Sequence, residues 1–164
     1  MLDYLQDEMN KEIEAWIIEQ YDINLVQVSD VLHDMKAVIE TEAACIVITY
    51  LRSSYITGSH QFKIACYENE PFMETLMYRF IDLTPLPFKQ IPISIEKFSR
   101  KIRSKFIRVL PFEIEEIRRY YMECLYKNSR FFFGRTLDEL GNKEKVNPVY
   151  FGEELGEVEQ IGVI

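Results

Sequence analysis

The hydrophobic and polar positions of this chain follow two periods, one typical of helices and one typical of strands. Residues 2–21 place apolar side chains every three to four positions, which predicts an amphipathic helix. The strongest β pattern covers residues 44–57 and 60–68. Residues 45–51 are apolar on both faces, as in an interior strand, whereas residues 61–66 alternate, as in a half-buried strand.

The two β segments predict a long antiparallel hairpin. Between them, Gly58 and Ser59 fit a two-residue turn of type II′. In the register that this turn fixes, Tyr55 faces Phe62 across the hairpin. Residues 52–57, which are more polar, would then project beyond the core as a finger.

Two further segments have patterns that fit more than one element. In residues 72–83 the apolar side chains collect on one side of a helix, and Asn69 and Pro71 suit its start. A helix is therefore preferred to a strand there. Residues 35–42 fit either a helix or a strand, and both interpretations stay open.

Two helices are predicted in the second half of the chain. Ser94 can cap a helix over residues 95–109. Pro111 ends that helix and begins the next one, because proline is tolerated only in a first turn. These helices and the N-terminal helix would pack on the sheet.

The composition changes from Gly134 onwards. Five of the six glycines lie in the last 31 residues, and no long apolar face accompanies them. We therefore predict a single α+β domain over residues 1–133 and a Gly-rich acidic C-terminal arm over residues 134–164. The domain would contain a small, mainly antiparallel sheet around the hairpin, packed by N-terminal and C-terminal helices, with the arm extending away.

Charge is sorted into blocks, which adds a prediction about assembly. Residues 1–95 contain 6 Lys/Arg against 15 Asp/Glu, residues 96–135 contain 11 against 5, and residues 136–164 contain 2 against 7. Blocks of opposite sign in a small protein indicate that one part docks on another, in the same chain or in a neighbour.

The helix predicted over residues 95–109 carries the centre of the positive block. No acidic residue lies between positions 97 and 108, although acids four residues away would stabilise the helix. This pattern indicates a docking surface for a protein or for the chain's own arm. Direct nucleic-acid binding is not favoured, because the acidic block repels phosphates. The predicted docking residues are Lys97, Arg100, Lys101, Arg103, Lys105 and Arg108.

The sequence contains no established catalytic or metal-binding motif. It lacks GxSxG, P-loop and GxGxxG patterns, and its three cysteines have no CxxC spacing. Its two histidines, His33 and His60, lack the additional ligands of a metal site. In residues 130–135, arginines flank three phenylalanines; such a run can stack bases, but a structural anchor is the preferred interpretation. We expect no catalytic residue, cofactor or metal.

These observations favour a non-enzymatic assembly protein that oligomerises or docks through the basic helix and the C-terminal arm. Its partners would be copies of itself or neighbouring subunits, and the concrete expectation is a connector-type subunit of a bacteriophage neck or tail. A cytoplasmic or virion location follows, with no membrane partner, because no apolar run approaches transmembrane length. A cytoplasmic binding protein, such as a toxin inhibitor or a secretion chaperone, and an enzyme with a non-local active site stay open as alternatives.

Overall fold

A computed structural model describes residues 2–23, 33, 36, 43–82, 91–140 and 147–163. The helices are α1 (Leu2–Ile23), the short α2 (Ser53–Thr57), α3 (Ile91–Lys105) and α4 (Pro111–Leu140). The strands are β1 (Cys45–Tyr50), β2 (Gln61–Tyr67), β3 (Thr75–Asp82), β4 (Pro148–Glu153) and β5 (Val158–Val163). Among the residues described, no helix combines the length and the apolar character needed to cross a membrane.

The strands form one mixed sheet in the order β3-β2-β1-β4-β5. β1 and β4 run parallel, whereas the other neighbouring strands run antiparallel. β1 lies at the centre, and all of its side chains are buried, as its continuous apolar sequence predicts for an interior strand. Helices pack on this sheet, so the predicted α+β class is confirmed.

The main core lies between the sheet and the three long helices. At its centre the ring of Phe62 on β2 contacts aromatic rings from two other elements. Its centroid lies 5.5 Å from that of Tyr126, 5.2 Å from that of Phe133 and 6.2 Å from that of Phe151. Because these rings come from β2, α4 and β4, one cluster joins the middle of the chain to its C-terminal part.

The predicted long hairpin is wrong in its turn and its register. β1 ends at Tyr50, which pairs with Phe62, and the single helical turn α2 replaces the projecting finger. Gly58 ends this turn in the left-handed conformation, with φ of 65°, and its N–H donates a hydrogen bond to the Ser54 carbonyl at 2.9 Å. A glycine at positive φ suits a helix end as well as a tight hairpin turn, so the same signal fits both structures.

The preferred helix over residues 72–83 is also wrong, because this segment contains β3. Residues 75–82 pair with β2 in antiparallel register, for example Met77 with Cys66. Such pairing satisfies the backbone groups on the open side of β2, a tertiary effect that helical periodicity cannot report. The segment 35–42, left open between helix and strand, lies outside the described residues apart from position 36.

The predicted C-terminal arm does not extend away from the domain. Gly134 lies within α4, so the predicted boundary between residues 133 and 134 falls inside a helix. The following strand, β4, pairs with the second side of β1, and β5 then covers β4. Val149 and Phe151 alternate towards the core, which explains why this short apolar segment is held in the sheet.

Tyr121 of α4 makes the fold less stable as the pH rises through the alkaline range. Its ring is buried beside Phe98 of α3, at a centroid distance of 5.8 Å, and this burial raises the pKa of Tyr121 to about 12. Because the folded pKa exceeds the unfolded value of about 10, the stabilisation is complete below pH 10 and is lost as pH rises towards 12.

We expect ionisation of Tyr121 to cost roughly 2–3 kcal/mol of unfolding free energy between about pH 10 and 12. Urea unfolding of the wild-type chain and of Tyr121→Phe across this range measures the effect. Part of the slope should persist in the variant, since burial also raises the pKa of Tyr50 and of Tyr67. An unchanged slope in Tyr121→Phe would contradict the assignment.

Candidate interaction surfaces

β3 forms one edge of the sheet and is unusually apolar for that position. Its sequence is TLMYRFID. It pairs with β2 on one side, and among the described residues no strand pairs with its other side. Proteins commonly protect such an edge with proline, with lysine or with very short strands. β3 contains no proline or lysine and spans eight residues, although it carries the exposed Arg79 and ends at Asp82. Its exposed apolar residues therefore suit its outer edge to receive another strand.

Three large apolar side chains of β3 are exposed on one face of the sheet. Leu76, Tyr78 and Phe80 occupy alternate positions and are 43%, 56% and 50% exposed. The rings of Tyr78 and Phe80 pack edge to face, with their centroids 5.7 Å apart. The ammonium group of Lys63 lies 5.5 Å from the centroid of the Tyr78 ring, where a cation–π interaction helps to orient it. We call these three side chains the β3 strip.

A polar cluster borders the β3 strip on the same face. Glu154 accepts a hydrogen bond from Thr49 Oγ1 and another from Lys63 Nζ, the second at 2.6 Å. Burial opposes the charge of Lys63, but the hydrogen bond and attraction of Glu154 outweigh it, so the pKa of Lys63 is raised. Lys63 therefore stays charged beside the apolar strip and joins β2 to the residue that follows β4.

β5, at the opposite edge of the sheet, has a different character. It carries Glu159, whose carboxylate accepts a hydrogen bond from Arg130 of α4 at 2.6 Å. It also contains Gly162, which adds no side chain to a cross-strand pair. Both edge strands carry charge, so charge alone does not separate them. In β5 the strongly exposed apolar side chain is Val163, whereas β3 exposes a row of three larger ones, and β3 is therefore the better candidate for strand addition.

Part of the predicted docking helix contacts α1 of the same chain. Lys97 of α3 pairs with Glu12, and Lys101 pairs with Glu8. The positive block thus meets the acidic face of the N-terminal helix, and one of its arginines, Arg130, also pairs with Glu159 of the C-terminal part. This arrangement fits the general expectation that charge blocks of opposite sign attract each other.

The remaining predicted docking residues form fewer contacts with the rest of the described fold. Arg100 pairs within α3 with Glu96, at 2.8 Å. Lys105 lies over a tyrosine ring of α1, with its ammonium nitrogen 3.3 Å from the ring centroid. Arg103 and Arg108 are exposed, and no ion pair joins either of them to another described residue. These two arginines are the part of the predicted docking surface that the described fold leaves accessible.

The phenylalanine run lies within α4 and serves as an anchor. Phe132 and Phe133 are buried in the core, whereas Phe131 is exposed. Successive residues of a helix point in different directions, so the three rings do not form the flat platform that base stacking requires.

The described cysteines and the buried histidine occupy structural positions. Cys45 and Cys66 are buried in the sheet, and burial raises the pKa of Cys45 and of Cys124. His60 Nδ1 lies 3.0 Å from the hydroxyl of Tyr126. Within the ranges that the structure covers, no three acidic, cysteine or histidine side chains are grouped to hold a metal ion.

Comparisons with protein-family models, with curated proteins and with solved structures find no match for this chain.

Proposed function

We propose that this protein is a non-enzymatic assembly subunit that associates with copies of itself. The observation that carries the proposal is β3, an apolar edge strand with three exposed large side chains and no partner strand on its outer side among the described residues. A long, hydrophobic and accessible sheet edge associates readily with another strand.

The position of the charged residues supports β3 as the principal surface. Lys97 and Lys101 are engaged by α1, so the basic helix offers fewer free charges than its sequence indicates. Arg103 and Arg108 are proposed as a secondary contact for an acidic surface of a neighbouring subunit. Exposed ion pairs contribute about 0–1 kcal/mol each, so this contact adjusts orientation more than affinity.

A connector-type subunit in the neck or tail of a bacteriophage particle is the concrete setting that we propose, with the free subunit in the cytoplasm. A small α+β subunit with an open sheet edge suits such a role, because repeated strand addition joins subunits without any chemical step. The acidic net charge of −8 keeps the free chain soluble before it associates.

A matched pair of phenylalanine substitutions tests self-association through β3. Phe80→Glu places a carboxylate on the strip directly across from Lys63, which can pair with it in the isolated subunit. Phe112→Glu makes the same change at a ring that is 65% exposed at the start of α4, where a negative charge suits the helix dipole. Both variants should therefore retain the fold.

Light scattering over micromolar concentrations measures the outcome. We expect the wild-type chain and Phe112→Glu to exceed the 19.6 kDa mass of one chain. Phe80→Glu should remain at that mass. A wild-type chain that stays monomeric, or a folded Phe80→Glu variant that retains the wild-type mass, would overturn the proposal.

A further inference from the structure

The chemistry of β3 restricts how two copies can pair. A two-fold axis perpendicular to the sheet joins two identical edge strands in antiparallel orientation and continues the sheet through both subunits. Such an axis passes beside one residue, which then faces its own copy. Residues 77, 78 and 79 lie near the middle of β3 and are the candidates for that position.

Two of the three positions create unfavourable neighbours. With the axis beside Arg79, two guanidinium groups face each other across the strands, and like charges in that position are destabilising. With the axis beside Met77, Phe80 of each copy faces Glu74 of the other, so an apolar ring lies opposite a carboxylate. Each of these registers joins only two of the three strip side chains, Tyr78 with Phe80 in the first and Leu76 with Tyr78 in the second. The third then faces a carboxylate, because Leu76 lies opposite Asp82 in the first register as Phe80 lies opposite Glu74 in the second.

The third position makes the strip self-complementary. With the axis beside Tyr78, the two Tyr78 rings face each other, and Leu76 of each copy faces Phe80 of the other. Aromatic–aromatic and aromatic–aliphatic pairs are favourable cross-strand contacts. Arg79 then lies opposite Met77, and therefore apart from its own copy.

We infer that two copies of this chain pair through antiparallel β3 strands with Tyr78 on the two-fold axis. The inference rests on the proposed function and specifies its partner and geometry. The resulting sheet has the order β5-β4-β1-β2-β3-β3-β2-β1-β4-β5, with the two strips forming one continuous apolar surface. The Lys63–Glu154 pairs border that surface on both sides.

Disulfide trapping in the full-length chain tests the register. All variants carry Cys124→Ser, which removes the one native cysteine that is not buried. In the proposed register the Cα atoms of residue 78 in the two copies lie about 4.5–5.5 Å apart, within the range that a disulfide spans. Leu76 lies roughly 13 Å along the strand from its own copy. Tyr78→Cys should therefore form a covalent dimer under mild oxidation, whereas Leu76→Cys and Phe80→Cys should each stay monomeric on a non-reducing gel.

A second variant tests the same register without removing Tyr78, in case the tyrosine is needed for association. The double variant Leu76→Cys/Phe80→Cys should form a covalent dimer, because the thiol at position 76 of each copy faces the thiol at position 80 of the other. The background chain without added cysteines is the blank.

The remaining outcomes separate this inference from the proposed function. Cross-linking of Arg79→Cys in place of Tyr78→Cys would overturn the register and keep β3 as the interface. If reduced wild-type chain is oligomeric by light scattering and no β3 cysteine cross-links, the inference fails and self-association stands. If the reduced wild-type chain is monomeric throughout, both fail.

Discussion

Replacing Phe62 by alanine is expected to lower the free energy of unfolding by about 3–5 kcal/mol. The ring is completely buried and contacts aromatic rings from α4 and β4. Truncation removes this apolar area and leaves a cavity that rigid neighbouring rings fill poorly. Because β2 and β4 lie on opposite sides of β1, the loss also weakens the packing between these two strands.

Chemical denaturation of Phe62→Ala measures this change, with Phe131→Ala as its matched control. Phe131 lies on α4 and is 52% exposed, so the same truncation there should change the unfolding free energy by no more than about 0.5 kcal/mol. Equal effects of the two substitutions would contradict the position of the core between β2 and α4.

Replacing Gly152 by alanine is expected to cost about 3 kcal/mol, although it adds only one methyl group. A Cβ at this position would collide with the carbonyl oxygen of Glu157 and would lie 2.9 Å from the Cα of Val158. Both obstacles are backbone atoms of the turn and strand that follow, so no side-chain rotation relieves them. The β4–β5 pairing must therefore open locally.

Gly134 provides the matched control for Gly152. It lies within α4, and a Cβ there would have its nearest neighbour, the Ile161 carbonyl oxygen, at 4.0 Å. Alanine is the better helix former, so Gly134→Ala should stabilise the chain by about 0.5–1 kcal/mol. Thermal unfolding of the two variants should therefore shift in opposite directions; a neutral Gly152→Ala would contradict the β4–β5 contact.

The sequence predicts those parts of the fold whose burial is continuous or strictly periodic. The apolar run of β1 indicates its central position, and the spacing of Leu5, Met9 and Ile13 indicates the buried face of α1. Pro111 marks the first residue of α4. In these cases one local pattern has one structural solution. The predicted bounds of α3 are wrong, because this helix spans Ile91–Lys105 and Ser94 lies inside it instead of capping it.

The remaining elements depend on partners that are distant in sequence. β3 has apolar residues on both a helical and an extended projection, and only its pairing with β2 decides between them. β4 is short, and the sequence around it is rich in glycine. It belongs to the sheet because it pairs with the side of β1 that β2 leaves open. The parallel pairing of β1 with β4 joins residues about a hundred positions apart, which no local pattern reports.

The candidate interface shows the same division. The basic residues of α3 stand out in the sequence, but Lys97 and Lys101 face α1 in the fold. The β3 strip cannot be found from the sequence alone, because the pattern of residues 72–83 favours a helix, in which alternate residues do not share a face. A signal for it does exist in the alternation of Leu76, Tyr78 and Phe80, which becomes informative once the segment is known to be an edge strand.

Hydrogen exchange of the β3 amides, followed as a function of protein concentration, reports directly on whether this edge pairs with a second copy. At low concentration, the amides on the outer side of β3 should exchange rapidly, and at high concentration they should become protected, because a partner strand then accepts their hydrogen bonds. The amides of β5 should show no such dependence. Exchange at β3 that is independent of concentration would contradict self-association through this edge.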